Sequence, residues 1–273
     1  MFRLSHPLAR NAVKPDSLET VPLFTSISSS LKYMLSPSGG VAYHLIAARR
    51  HRHLWRPFRA QVRDWIAKWR EGFASKDLIV FGPSAGWTLP LELFIEARKL
   101  VIIEPDPIAR RLLEKKLASL GRRGQIEWIS DPAILPWFSK DDLAFESFLA
   151  TYPHADLLFA NVLGQVALHA SASTRARKTE SPEHLFLKAV KNRSWASYHD
   201  LYSGPSLARL EKTEWVGAQD FETVAESSFT VGPVTDHETQ WLSQTSEKTS
   251  LAVWPITEKQ THIIAWVSHR SIE

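Results

Sequence analysis

Between residues 77 and 202 the chain alternates short, nearly continuous apolar runs with longer segments whose apolar positions recur every three or four residues. The runs are DLIVF (77–81), LVIIE (100–104), QIEWI (125–129), ADLLFANV (155–162) and RSWASYHDLY (193–202). Their length and lack of polar alternation predict strands buried on both faces. The periodic segments predict helices over 87–98, over 105–121 with Gly121 as the stop, near 142–150, and up to about Val190. Such alternation predicts an α/β fold: a Rossmann-like, doubly wound, mostly parallel sheet covered by helices. Two later runs, LAVWPI (251–256) and THIIAWVS (261–268), are separated by the short polar TEKQ and predict a C-terminal antiparallel hairpin. Between sheet and hairpin, the capping-box spacing Thr235-x-x-Glu238 predicts a helix beginning near Asp236.

The segment before residue 77 reads as an N-terminal leader and helical extension (1–76), set against the Rossmann-like domain (77–273). Pro, Ser and Gly punctuate residues 1–40, with a short helix expected around Ser28 to Met34. A helix follows from Val41. A second has Pro57 in its first turn, where a missing N–H costs nothing. In that second helix Trp55, Phe58, Val62, Trp65 and Trp69 fall at steps of three and four, so they share one face. That face either packs on the domain or forms a stacking surface for a flat ligand, and packing is what a stripe of this period usually does. The basic cluster Arg49, Arg50, His51, Arg52, His53 is either a solvated turn or an anion-binding rim.

Composition changes this picture little. A net charge of +4 permits an anionic partner without requiring nucleic acid. The absence of cysteine excludes disulfides, thiolate metal sites and cysteine nucleophiles. No run approaches the roughly 20 apolar residues of a membrane span, and the N-terminal residues lack the apolar core of a secretory signal, so a cytoplasmic protein is expected. No histidine spacing suggests a metal site: His51 and His53 sit in an arginine run that repels cations.

The chemistry concentrates in VFGPSAGWTLP (80–90). Gly82-Pro83-Ser84-Ala85-Gly86 fits the G-x-S-x-G nucleophile elbow, with Asp200 or Asp236 and His237 or His262 as downstream partners for Ser84. Trp87 is bulky where an elbow wants small residues. The same stretch also fits a glycine turn that lets backbone approach a cofactor before a helix N-terminus. Glu104, at the tip of the next strand, stands where a doubly wound fold accepts hydrogen bonds from two ribose hydroxyls. A dinucleotide G-x-G-x-x-G is disfavoured, because its third position is Trp87.

DLIVFGPSAGWTLP, KLVIIEPDP, IEWISDP and ADLLFANVLGQ together resemble, in order and spacing, the motifs of class I S-adenosylmethionine-dependent methyltransferases. The resemblance covers residues 77–200, and the terminal hairpin is similar to that superfamily's last two strands. It implies a seven-stranded sheet with the final strand antiparallel, and S-adenosylmethionine as cofactor. Gly82, Pro83, Ser84 and Gly86 would then line the methionine and ribose part, Glu104 would hold the ribose hydroxyls, and Asp131 would approach the adenine. Asn161 would face the methyl group and the substrate. His199 and Asp200, at the carboxyl edge of the fifth strand, are candidates for a general base and its partner. The acceptor, whether small molecule, RNA or protein, is not specified. The basic loop 171–181, with Arg175, Arg177 and Lys178, hints at an acidic or phosphorylated one. Two departures, Val80 where the family pattern has an acid and Ser84 where it has a glycine, keep two alternatives open: a non-catalytic, partner-binding descendant, and a serine hydrolase.

Overall fold

The computed structural model describes residues 40–71, 77–122, 126–169, 180–205, 215–216, 228–229, 232–245 and 249–271. The expected leader helix near 28–34 and the basic loop carrying Arg175, Arg177 and Lys178 lie outside these residues. Helices α1 (Gly40–Arg50) and α2 (Arg56–Arg70) come first. Then follow β1 (Leu78–Phe81), α3 (Glu92–Ile95), β2 (Leu100–Ile103), α4 (Pro107–Ser119), β3 (Ile126–Ile129), α5 (Ala144–Ala150) and β4 (Asp156–Ala160). The remainder is α6 (Leu163–His169), α7 (Pro182–Val190), β5 (Trp195–Gly204), the two-residue strands β6 (Trp215–Val216) and β7 (Thr235–Asp236), β8 (Thr249–Thr257) and β9 (Gln260–His269).

The sheet runs β3-β2-β1-β4-β5-β9-β8-β6, with β7 attached to β5. Strands β1 to β5 are parallel, and β9 runs antiparallel to β5 and β8. This is the Rossmann-like sheet and terminal hairpin that the apolar pattern predicts. Among the described residues it has nine strands rather than seven, because β6 and β7 add short pairings to β8 and β5. Every residue of β1, β2 and β4 is buried, whereas β3, at the edge, is only half-buried. Alternate residues of each strand feed two cores. Leu78, Val80, Ile102 and Leu158 meet α1, α2 and α4 on one side. Ile79, Phe81, Val101 and Phe159 meet α5, α6 and α7 on the other.

The aromatic stripe of α2 packs inward. Trp55, Phe58, Val62 and Trp69 are buried, Phe58 stacks on Trp254 of β8 at 4.9 Å, and Trp65 stacks on Trp266 of β9 at 5.5 Å. The helices before residue 77 therefore share a core with the sheet.

Two expected helices are not formed as the sequence suggests. Over 87–98 only Glu92–Ile95 is helical. Pro90 removes a donor and biases Leu89 away from helical backbone. The freed chain tucks Trp87, Leu89 and Leu91 into the core. The Thr235-x-x-Glu238 spacing does not start an α-helix at Asp236 either, and only a 3₁₀ helix forms later, over Gln240–Thr245. Asp236 accepts a hydrogen bond from the Glu238 N–H at 2.7 Å, a local turn that competes with helix, and Thr235 and Asp236 pair with Ser203 and Tyr202.

Phe58→Ala should cost about 3–5 kcal/mol in urea unfolding, as expected for a buried aromatic truncated to a methyl. Trp65→Ala, at the half-buried position of the stripe, should cost clearly less. Equal and small losses would contradict inward packing.

Candidate functional site

A cleft partly open to solvent lies at the carboxyl ends of β1, β2 and β4. In open α/β sheets this edge is where ligands bind. Its walls include Tyr43, Gly82, Pro83, Ser84, Glu104, Asp106, Pro132, Asn161, Tyr198 and Trp254. The turn after β1 depends on backbone that side chains resist. Gly82 and Gly86 have φ of 61° and 64°, and a Cβ on Gly82 would sit 2.9 Å from the Val162 Cβ. Ser84 also has positive φ, at 52°.

Glu104 holds this turn in place. Its Oε2 accepts from the Ser84 N–H at 2.7 Å and its Oε1 from the Asp106 N–H at 3.0 Å. Each oxygen keeps lone-pair capacity for a ligand hydroxyl. Burial pushes the Glu104 pKa up. The Asp106 N–H opposes that, the nearby Asp106 charge adds to it, and the Ser84 N–H pulls back, leaving it raised to about 7.

Asp106 fastens the N-terminal helices to the same place. Its Oδ1 caps α4 by accepting from the Ile108 and Ala109 N–H groups, and its Oδ2 accepts from Gly40 N and His44 Nε2, each at 3.1 Å. Burial raises the Asp106 pKa, but the His44 bond and the two capping N–H groups outweigh it and hold the carboxyl below its usual range. His44 Nδ1 in turn accepts from the Trp87 indole N–H at 3.0 Å. Both nitrogens of His44 are thereby used. Tyr43, half-buried in the wall, has its phenol pKa raised, chiefly by desolvation.

Asn161 closes the far wall. It has φ of 59°, a left-handed conformation that Asn adopts more readily than most residues. Its Nδ2 donates to Asp200 Oδ2 at 3.0 Å, and its Oδ1 accepts from the Asp200 N–H at 2.8 Å. Asp200 Oδ1 lies 2.7 Å from His262 Nδ1 on β9. Burial raises the Asp200 pKa, but the neighbouring His262, with His237 and Asn161 in support, holds it low.

Of the residues singled out from sequence, Gly82, Pro83, Ser84, Glu104 and Asn161 line the cleft, and Gly86 shapes its turn. Asp131 is exposed and caps the short helical turn Pro132–Ile134, accepting from the Ala133 N–H at 2.8 Å. It does not line the cleft; Pro132 does. His199 is wholly buried with Nδ1 3.0 Å from Ser197 Oγ, and burial lowers its pKa to about 3. It does not line the cleft, whereas Asp200 meets it through Asn161. Among the described residues no histidine hydrogen-bonds to Ser84, whose N–H is held by Glu104, so the triad that a hydrolase needs is not assembled.

Sequence reasoning missed Tyr43, Thr88, Tyr198 and Trp254 as cleft residues, and weighed His262 only as a hydrolase partner. It also found no metal-ligand spacing. Folding nevertheless brings Asp200, His237 and His262, from three separate segments, within 4.8 Å of one another.

In comparisons with solved structures, the chain is similar to the N-methyltransferase NodS from Bradyrhizobium japonicum WM9 in complex with S-adenosyl-L-homocysteine. Identity is 10%, over 89% of this chain and 98% of that one, with a TM-score of 0.43. It is also similar to magnesium protoporphyrin IX methyltransferase (ChlM) from Synechocystis PCC 6803 with bound S-adenosylmethionine, at 10% identity over 89% and 91% of the two chains, with a TM-score of 0.39. No family model and no curated protein matches the sequence. At that level of similarity the residues of the cleft themselves must carry the functional reading.

The raised Glu104 pKa makes a stability statement. A carboxyl whose folded pKa, about 7, exceeds its ordinary 4.5 contributes stability below about pH 4.5 that is lost as pH rises through 7. Between pH 5 and 8, urea unfolding of the wild type should lose up to about 3 kcal/mol more than that of Glu104→Gln. Parallel pH profiles for the two proteins would contradict the buried, strained carboxyl.

Proposed function

We propose that this chain is an S-adenosylmethionine-dependent methyltransferase. The observation that supports it best is Glu104. A buried carboxylate at the tip of β2 faces a cleft and is tied to the glycine turn after β1, with one lone-pair direction free on each oxygen. That donor set suits the two hydroxyls of a nucleoside ribose. The cleft also has the aromatic and apolar walls that an adenosine and a thioether chain require: Phe81, Ile103, Leu135 and Phe138 lie beside Tyr43, Tyr198 and Trp254.

When bound, S-adenosylmethionine supplies an electrophilic methyl on a sulfonium, which an acceptor lone pair takes as the carbon–sulfur bond breaks and S-adenosylhomocysteine leaves. The protein's share is orientation and exclusion of water. Gly82 and Ser84 present backbone, Glu104 fixes the ribose, and Asn161 shapes the wall nearest the acceptor. Helix α1 closes the cleft from above through Gly40 and Tyr43. An acidic or phosphorylated acceptor is favoured by a second cavity lined by Arg52, Arg56, Arg59 and Arg63, which shares Thr88 with the cofactor cleft. Only Arg63 among these four has a carboxylate partner among the described residues, Glu92 at 3.2 Å.

Calorimetric titration with S-adenosylhomocysteine tests this directly. Saturable binding is expected, weakened at least tenfold by Glu104→Ala and little changed by Ser84→Ala, since Ser84 acts through its N–H. If ribose hydroxyls donate to the ionised Glu104, affinity should rise from pH 6 to 8 by up to about tenfold and level off, and Glu104→Gln should abolish the trend. No binding at millimolar ligand would overturn the reading in favour of a partner-binding protein.

A further inference from the structure

The geometry points to a binding site for a divalent transition-metal ion formed by Asp200, His237 and His262, on the far side of Asn161 from the cofactor cleft. One ligand atom from each lies within 4.8 Å of the other two. Two imidazoles and a carboxylate are a donor set for Zn²⁺, Mn²⁺ or Fe²⁺ rather than for Mg²⁺ or Ca²⁺, which prefer oxygen alone.

The surroundings prepare His237 and Asp200 as ligands, and His262 would exchange its Nδ1 proton, now shared with Asp200, for the ion. A carbonyl oxygen can only accept, so the contact of His237 Nδ1 with the Gly164 carbonyl at 2.9 Å fixes the proton on Nδ1. Nε2 is left with its lone pair, and its only neighbour within hydrogen-bonding distance among the described residues is the Ser203 hydroxyl at 3.0 Å. Backbone carbonyls play this orienting part for metal-bound histidines generally. Gly164 is seated where a Cβ would fall 2.6 Å from the Asp200 nitrogen, so its carbonyl is held by close packing against a ligand. Asp200 has Oδ2 occupied by Asn161 and Oδ1 turned toward His262. A fully buried carboxylate demands a counter-charge, and a dication shared with two neutral imidazoles supplies it.

The three ligands also stand on well-fixed backbone. His262 is registered against Ser203 across the β5–β9 ladder, next to an irregularity between Asp200 and Tyr202, a feature that re-aims side chains near sites. The His237 N–H donates to the Leu201 carbonyl, fastening its segment to β5. Of the three ligands His262 reaches solvent, with 13% of its side chain exposed, so an open coordination position would face solvent. Resting on the methyltransferase reading, a metal there would bind the acceptor's oxygen or nitrogen and ease loss of its proton, which passes to solvent.

The test uses the full chain, stripped with a chelator and dialysed. Titration with Zn²⁺ should give one equivalent bound and a raised melting temperature, and Co²⁺ should give visible absorption bands. Mg²⁺ should give neither. His262→Ala and His237→Gln, each confirmed folded by circular dichroism, should weaken Zn²⁺ binding by about 100-fold or more, while the exposed control His53→Ala should not. Failure of the wild type to bind Zn²⁺ stoichiometrically would overturn the site and leave Asp200–His262 as a plain hydrogen-bonded pair. Binding that survives both ligand variants would overturn it equally. Because Zn²⁺ is titrated without nucleoside, a negative result here is distinguishable from failure to bind S-adenosylhomocysteine.

Discussion

One buried carboxylate, Glu104, joins the turn after β1 to the turn after β2, and the shape of the cleft depends on that junction. Parallel neighbouring strands end in separate loops, and the β1–β2 ladder, whose last bond runs from the Gly82 N–H to the Ile103 carbonyl, leaves other bonds to fix how the rest of those loops lie relative to one another. The Glu104 side chain does so by accepting one backbone N–H from each. Both bonds are charge-assisted when the carboxyl is ionised, and therefore stronger than ordinary amide bonds. Burial opposes ionisation, which is why the group sits near neutrality in its titration. A ligand that brings two more donors would shift that balance toward the charged form.

Asp106, two residues on, extends the same construction to the N-terminal helices. It caps α4 with one oxygen and holds Gly40 and His44 with the other, so α1 begins where α4 begins. Trp87 completes the assembly by donating to His44 while the Lys116 ammonium lies 3.4 Å from the centre of its ring. The indole thus sits between a cation–π contact and a hydrogen bond, the use of both faces and edge that a buried tryptophan favours. The aromatic packing of α2 on β8 and β9 then fixes the other end of the helical layer.

What the sequence revealed and what it hid follow from the range of the forces involved. Strands β1 to β5, α4 and the hairpin were legible because burial on two faces and a helical stripe each leave a periodic mark. Gly82, Ser84, Glu104 and Asn161 were legible because they sit at fixed offsets from strand ends. The helix expected over 87–98 was lost to Pro90, a local signal outvoted in that reading by apolar period. The turn at Asp236 was misread because an Asp side chain can serve either a helix cap or a local turn, and only pairing with β5 decides. Tyr43 and Trp254 meet the cleft through contacts far apart in sequence, as do His237 and His262 with Asp200. No spacing rule reports such contacts.

The two departures from the expected glycine motif make sense in this setting. Val80 is fully buried in the core shared with α2 and α4, so a charged residue at that position would need a partner that an apolar layer does not offer. Ser84 adopts a φ of 52°, which costs a residue with a Cβ roughly 1–2 kcal/mol relative to glycine. The 2.7 Å bond from the Ser84 N–H to Glu104, charge-assisted when the carboxyl is ionised, holds the turn in that conformation, as it would with a glycine there. The loss of a glycine at this position removes conformational freedom from the turn without closing the cleft that the turn lines.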